Sequence, residues 1–274
     1  MAETKPANGH AKRGQSVAGC NWINWESTFL QKSMPDPIRM FSFLCLLIMS
    51  FRYMEANEWD LMLMIRGFYL NPYVLFFFLS ACATVYVSYD ARGEHPPLRV
   101  YDRWVAEWYW WNAWLYHATM DGASGSFRLV PVVVQQYDLL DRRFTEGHVV
   151  PWVIGAVELF VMYPLCLVTL WTVLKRHPLR FPMEIVTSTF HIMGMIVFVV
   201  SEVYEGQTKI PALDPVGIPG DRWANLKFTD PYHLVYYWFG FWFCNLIWGF
   251  VPYYRITRAV DECRLVFVQH QKRD

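Results

Sequence analysis

Apolar runs of roughly 20 residues, the length needed to cross the hydrocarbon of a bilayer, recur along this chain, and the charged residues gather between them. Five spans are read: Leu70 to Tyr89, Arg103 to Leu129, Val149 to Leu174, Pro182 to Tyr204 and Tyr232 to Tyr254. A further apolar segment, Ile38 to Phe51, is short and flanked by Arg39 and Arg52. It reads either as a sixth span or as a helix lying in the interface. The fold class that follows is all-α, a polytopic membrane helix bundle of five transmembrane helices with this additional N-terminal segment. The expected organisation is a polar, disordered tail over 1–33, the extra hydrophobic segment over 34–66, the transmembrane domain over 67–260 and a cytosolic C-terminal tail over 261–274.

The 274 residues are 54% hydrophobic and 18% aromatic, and 24 basic and 24 acidic side chains cancel, so nothing points to a nucleic-acid partner. Six cysteines, at 20, 45, 82, 166, 244 and 263, form no CxxC pair and read as small buried hydrophobes rather than a disulfide or metal framework. The N-terminal stretch lacks the apolar core of a signal peptide. Eleven Lys and Arg residues, among them Arg180 and Arg255, fall on one side of the bundle. Six, among them Arg142 and Arg143, fall on the other. That bias puts the C-terminus in the cytosol and the Pro/Gly-rich segment Glu205 to Asp230 in the lumen, where it is either a cover over the site or an ordinary loop.

Ionisable groups at membrane depth are expensive against lipid, so a polar helix face there is expected to look into a protein cavity. The second span carries Glu107, Trp110, Trp114, His117 and Asp121 at α-helical intervals, with His117 and Asp121 one turn apart, as expected of a proton-transfer pair. Interhelical polar contacts with interfacial aromatics are the alternative account of this face. Glu158 in the third span has no basic neighbour in its own helix, so if desolvated it favours the neutral form and can serve as an acid. In the fourth span His191 lies deep, either as a second proton carrier or as a structural histidine, whereas Glu184 and Glu202 lie near the ends, where snorkelling or capping explains them. The fifth span places Trp238, Trp242, Asn245 and Trp248 at helical spacing, where indole faces can attract a cation or simply pack. His117, His191, Asp121 and Glu158 could form one mononuclear metal site, but the eight histidines lie mostly in loops. Motifs for serine hydrolysis, phosphoryl transfer and dinucleotide binding are missing.

The run HPLRF (His177 to Phe181), the segment SEVYEG ending at Gly206, and DPYHLVYYWFGFWFCNLIWGFVP (Asp230 to Pro252) resemble the emopamil-binding protein family of EXPERA membrane domains, over roughly Leu98 to Val260. The resemblance implies a five-helix endoplasmic reticulum protein that moves a sterol ring double bond from Δ8 to Δ7 without cofactor or metal, by protonation to a carbocation and loss of another proton. It makes Glu158 the acid and His117 with Asp121 the base or relay. Asn245 and Trp248 are then nearest the cation, with Trp110, Trp114, Trp242 and His191 as further substrate or cation-stabilising residues. Implied partners are a sterol or terpenoid lipid substrate, membrane lipids and cationic amphiphilic inhibitors, and a homodimer is left open. The family motif HxxxE ends in Asp121 here, Glu158 sits about one turn from the family position when Pro164 is aligned, and Met195 replaces an acidic residue. These differences make a terpenoid or meroterpenoid isomerase or cyclase the alternative, and a non-catalytic lipid-binding member the third reading.

Overall fold

The computed structural model describes residues 36–88, 98, 100–213 and 227–271, all within one unit, Pro35–Asp274, and every regular element among them is helical. The expected N-terminal tail, Arg92, Arg99, Lys272, Arg273 and half of the lumenal segment (214–226) lie outside the described residues.

Asp36 opens helix α1 (Pro37–Ala56): its carboxylate accepts from the Ile38 amide at 3.0 Å, and Pro37 stands where a missing N–H is harmless. At 20 residues α1 is long and apolar enough to span a membrane, so the short interfacial alternative gives way to a full bundle helix. The next span is broken. Pro72 cannot continue the helix before it, so Leu61–Tyr69 (α2) and Pro72–Ser88 (α3) meet at 50°, with Asn71 capping Tyr73 N and donating to Leu129 O, both at 3.0 Å.

Helix α4 (100–126) is α-helical over Val100–Trp111 and π-helical over Asn112–Ser126, and nearly all of the second part is buried. It is absent from the helices apolar enough to cross a membrane, which number four, or five when the bent pair counts as one. The reason is position. Helices α1, α3, α5 (Pro131–Leu140) and α7 (Val149–Leu174) pack around α4, so its polar residues face protein rather than lipid.

Two helices complete the bundle, α8 (Arg180–Tyr204) and α9 (233–271), the latter π-helical over His233–Cys244 and α-helical over Asn245–Gln271. Helix α9 runs well past Tyr254, through most of the stretch read as a C-terminal tail. Between α5 and α7 a single helical turn, α6 (Arg142–Thr145), lies in what reads from sequence as a loop. Three basic residues counted as loop charges are buried in ion pairs: Arg143 with Asp141 (2.7 Å) and Glu202 (3.1 Å), Arg180 with Asp102 (2.5 Å) and Glu184 (2.9 Å), and Arg255 with Glu184 (2.5 Å). Removing them leaves the charge bias in the same direction. The chain is a multi-pass membrane protein.

Helix α7 crosses α4 tightly at Gly155, where a Cβ would stand 2.2 Å from Ser126 Oγ and 2.4 Å from the Asp121 carbonyl oxygen. Only glycine permits that crossing. Gly155→Ala is therefore expected to lower stability by roughly 1–3 kcal/mol through overpacking. Thermal unfolding in detergent checks it, and an unchanged midpoint would contradict so tight a contact.

Candidate active site

Helices α1 and α4 to α9 line a half-open cavity of about 410 Å³ with mostly apolar walls, within the range of small-molecule sites. His117, Asp121, Glu158, His191, Asn245 and Trp248 all line it. Phe41, Cys45, Ile48 and Met49 of α1 contribute a wall that sequence reading did not assign.

The titratable groups converge from four helices, α4, α5, α7 and α8. His117 Nε2 and His191 Nε2 are 2.7 Å apart with the rings stacked at 4.8 Å, so one nitrogen donates to the other. The other ring nitrogen of His117 lies 3.9 Å from Glu158 Oε1, and the nitrogen and carboxylate oxygens of His117, Asp121 and Glu158 all fall within 4.8 Å of one another. Tyr137 of α5 donates a short hydrogen bond to Asp121 Oδ1. Cys166 Sγ approaches His191 Nε2 at 4.0 Å. Both imidazole Nδ1 atoms and Glu158 Oε2 are buried without a hydrogen-bond partner among the described residues. Such groups can exchange protons with whatever fills the cavity.

Glu158 owes its position to a π turn, Glu158–Met162, placed just before Pro164. Proline removes an amide donor and crowds the carbonyl four residues back, and a local i→i+5 turn accommodates both effects. Gly194 on α8 faces the carboxylate, and a Cβ there would lie 3.9 Å from Glu158 Oε1.

Trp248 is held by its indole N–H, which donates to Asn112 Oδ1 at 2.7 Å, and by the Tyr116 ring, edge-on at 4.6 Å. Tyr116 is itself tied to Ser42 of α1 at 2.8 Å. Asn245 lines the cavity, while its amide donates to Phe241 O of its own helix at 2.6 Å.

Trp110, Trp114 and Trp242 do not line the cavity. The first two pack against Phe78 of α3, at 5.8 and 5.2 Å, and Trp242 packs against Phe241 at 5.4 Å and Tyr237 at 6.4 Å. The π register explains the first pair. Closure of i→i+5, echoed by the Thr119 and Ser124 hydroxyls donating to carbonyls five residues back at 2.6 and 2.5 Å, turns each residue less about the axis. Positions one, four and five apart then share a face, namely Tyr116, His117, Met120 and Asp121, and the interval of three from Trp114 to His117 leaves it. Glu107 is likewise elsewhere, accepting from Arg39 and from Trp111 Nε1. Glu184 and Glu202 serve the buried ion pairs.

The single metal site considered from sequence separates into two triads sharing His117: one with Cys166 and His191, the other with Asp121 and Glu158. Either donor set could hold a cation. Cys166, Tyr137 and Gln136 were missed because they bear on the site only through tertiary contact. The single legible signal was Pro131 opening QQYDLL as a short helix.

The fold and site define a multi-pass helical bundle in which an apolar, partly aromatic pocket lies over two buried histidines and two half-buried carboxylates. Residues 129–259 match the family described as EBP: EXPERA (EXPanded EBP superfamily), the family that the sequence motifs resemble. Comparison with curated proteins found no match. The matched segment holds Glu158, His191, Asn245 and Trp248, whereas His117 and Asp121 precede it.

Proposed function

We propose that this protein is an isomerase that shifts a carbon–carbon double bond within a sterol or related polycyclic terpenoid. The observation that carries the reading is the convergence of His117, Asp121 and Glu158 within 4.8 Å in an apolar cavity walled by Trp248. Glu158 donates a proton to one alkene carbon, the π electrons form the new C–H bond, and a tertiary cation results beneath aromatic faces. His117, backed by Asp121 and His191, then takes a proton from a neighbouring carbon, and that C–H pair becomes the shifted double bond. Protons gained and lost balance. The 3.9 Å between His117 Nδ1 and Glu158 Oε1 offers a short return path for the proton. The reaction changes no oxidation state and uses no cofactor. Retention of all three ionisable groups favours catalysis over passive lipid binding.

The test is to supply Δ8-sterols and cyclic terpenoids to the purified protein in deuterated buffer and identify products by mass spectrometry. A rearranged product of unchanged composition, carrying solvent deuterium at the newly protonated carbon, is expected. No product from any substrate would turn the reading towards lipid binding. Asp121 in place of glutamate, drawn towards Tyr137, together with Met195 in place of an acid, favours a second reading: a terpenoid or meroterpenoid isomerase or cyclase using the same protonation chemistry. The charge bias and the family support residence in the endoplasmic reticulum membrane with a cytosolic C-terminus.

A cationic intermediate also predicts inhibitor preference. An apolar amine should bind more tightly than its carbon isostere, and Trp248→Leu should remove roughly 0.5–2 kcal/mol of that preference while affecting the neutral ligand less. Competition between matched analogues on both proteins measures it. Equal affinities on the unmutated protein would argue against cation chemistry.

A further inference from the structure

Gln136 on α5 lines the cavity and is 6% exposed, and its amide NH₂ finds no acceptor among the described residues. A chain of donors sets the orientation of this carboxamide. Arg52 can only donate, and its Nε reaches the Tyr236 hydroxyl at 3.4 Å, with the guanidinium 5.8 Å from that ring. Having accepted from Arg52, the Tyr236 hydroxyl spends its own proton on Gln136 at 2.8 Å, which requires the carbonyl oxygen Oε1 at that position. The NH₂ end is left without an acceptor on a residue that lines the cavity. A buried amide donor without a partner is unfavourable, and an acceptor on a bound molecule removes that penalty.

None of these three residues belongs to the acid-base cluster, and they come from three helices, α1, α5 and α9. The next residue along α5, Tyr137, bonds Asp121. One short helix thus presents a polar anchor and a contact to the reacting cluster side by side. The charge of Arg52 is already matched by Glu55, so the subsite suits a neutral acceptor rather than an anion.

We propose that Gln136 is a binding subsite for a hydroxyl or carbonyl oxygen of the lipid, and that the substrate is an oxygenated polycycle held there while its double bond lies over Glu158 and His117. The first half stands on the Gln136 geometry alone, and the second rests on the isomerase reading.

The experiment compares three probes, a 3β-hydroxysterol, its 3-ketone and its 3-deoxy hydrocarbon, binding to the purified full-length protein in mixed micelles, with affinity read from thermal stabilisation. Both oxygenated probes are expected to bind about tenfold or more tightly than the hydrocarbon, the effect of one buried hydrogen bond. Gln136→Met should bring all three to the hydrocarbon's affinity without changing that affinity, which also shows the cavity intact. Tyr236→Phe, which frees the amide to rotate, should reduce the preference severalfold and gives a second route if the first variant fails to fold. Glu158→Gln should keep it. Equal binding of all three probes, binding of none, or a preference that survives Gln136→Met overturns the subsite. Rearranged product formed without an oxygen preference would remove the anchor and leave the isomerase standing. An oxygen preference with no product from any substrate would do the reverse.

Discussion

Glu158→Gln is expected to reduce turnover by at least about a hundredfold, the lower range for a positioned acid or base, while the protein keeps its fold. The amide matches the carboxyl in shape and still hydrogen-bonds, but it has no proton to give an alkene. Nothing bulky depends on this side chain: it is 17% exposed, faces the open position left by Gly194, and has an unpartnered Oε2. Product formation measured by mass spectrometry, beside an unfolding midpoint equal to that of the unmutated protein, is the expected pair of results. Near-normal turnover would move the acid role to Asp121, the neighbouring carboxyl in the cluster. A fall in turnover matched by loss of folded protein would instead make Glu158 structural.

Arg143→Met is expected to cost roughly 3–5 kcal/mol of stability, the range for removing one partner of a buried ion pair. The guanidinium is fully buried and contacts Asp141, Glu202, the Ser201 hydroxyl at 2.8 Å and the Phe198 carbonyl at 3.2 Å, and it lies 4.5 Å from the Phe198 ring. Methionine fills much of the volume but leaves two carboxylates without their cation. Arg143 also fastens the α5–α6 segment to the end of α8, and α5 carries Gln136 and Tyr137 into the cavity. Ligand affinity should therefore fall with stability. Unfolding in detergent measures the first effect, and a midpoint unchanged from the unmutated protein would show that the ion cluster contributes no net stability.

The family motifs carry scaffold more than chemistry. Arg180 of HPLRF joins Asp102 and Glu184, and Glu202 of SEVYEG receives Arg143 and the Lys209 amide at 2.8 Å. Long-range ion pairs of this kind leave only isolated charged residues in a sequence. Arg143 and Arg180 therefore read as loop charges until the helices that bury them are assembled. The exchange of an apparent connection for helices α5 and α6 has the same origin. The ten residues from Pro131 to Leu140 are too few and too mixed to suggest a span, yet they complete the cavity.

Local periodicity and the cost of polarity in lipid can be read along the chain before any helix meets its neighbour. They make legible an all-helical multi-pass chain and the shared face of His117 and Asp121, since a four-residue interval keeps one face in either an α or a π helix. Tertiary structure alone decided the rest. The π register of 112–126 turned Trp110 and Trp114 towards α3, and packing turned Trp242 away from the cavity. Contacts between residues far apart in sequence brought His191 to His117, Tyr137 to Asp121 and Tyr236 to Gln136. Spacing along one helix carries no information about which neighbouring helix lies opposite, or at what depth. That is set by close approaches such as Gly155 against the Asp121 carbonyl, where two backbones meet with no side chain between them.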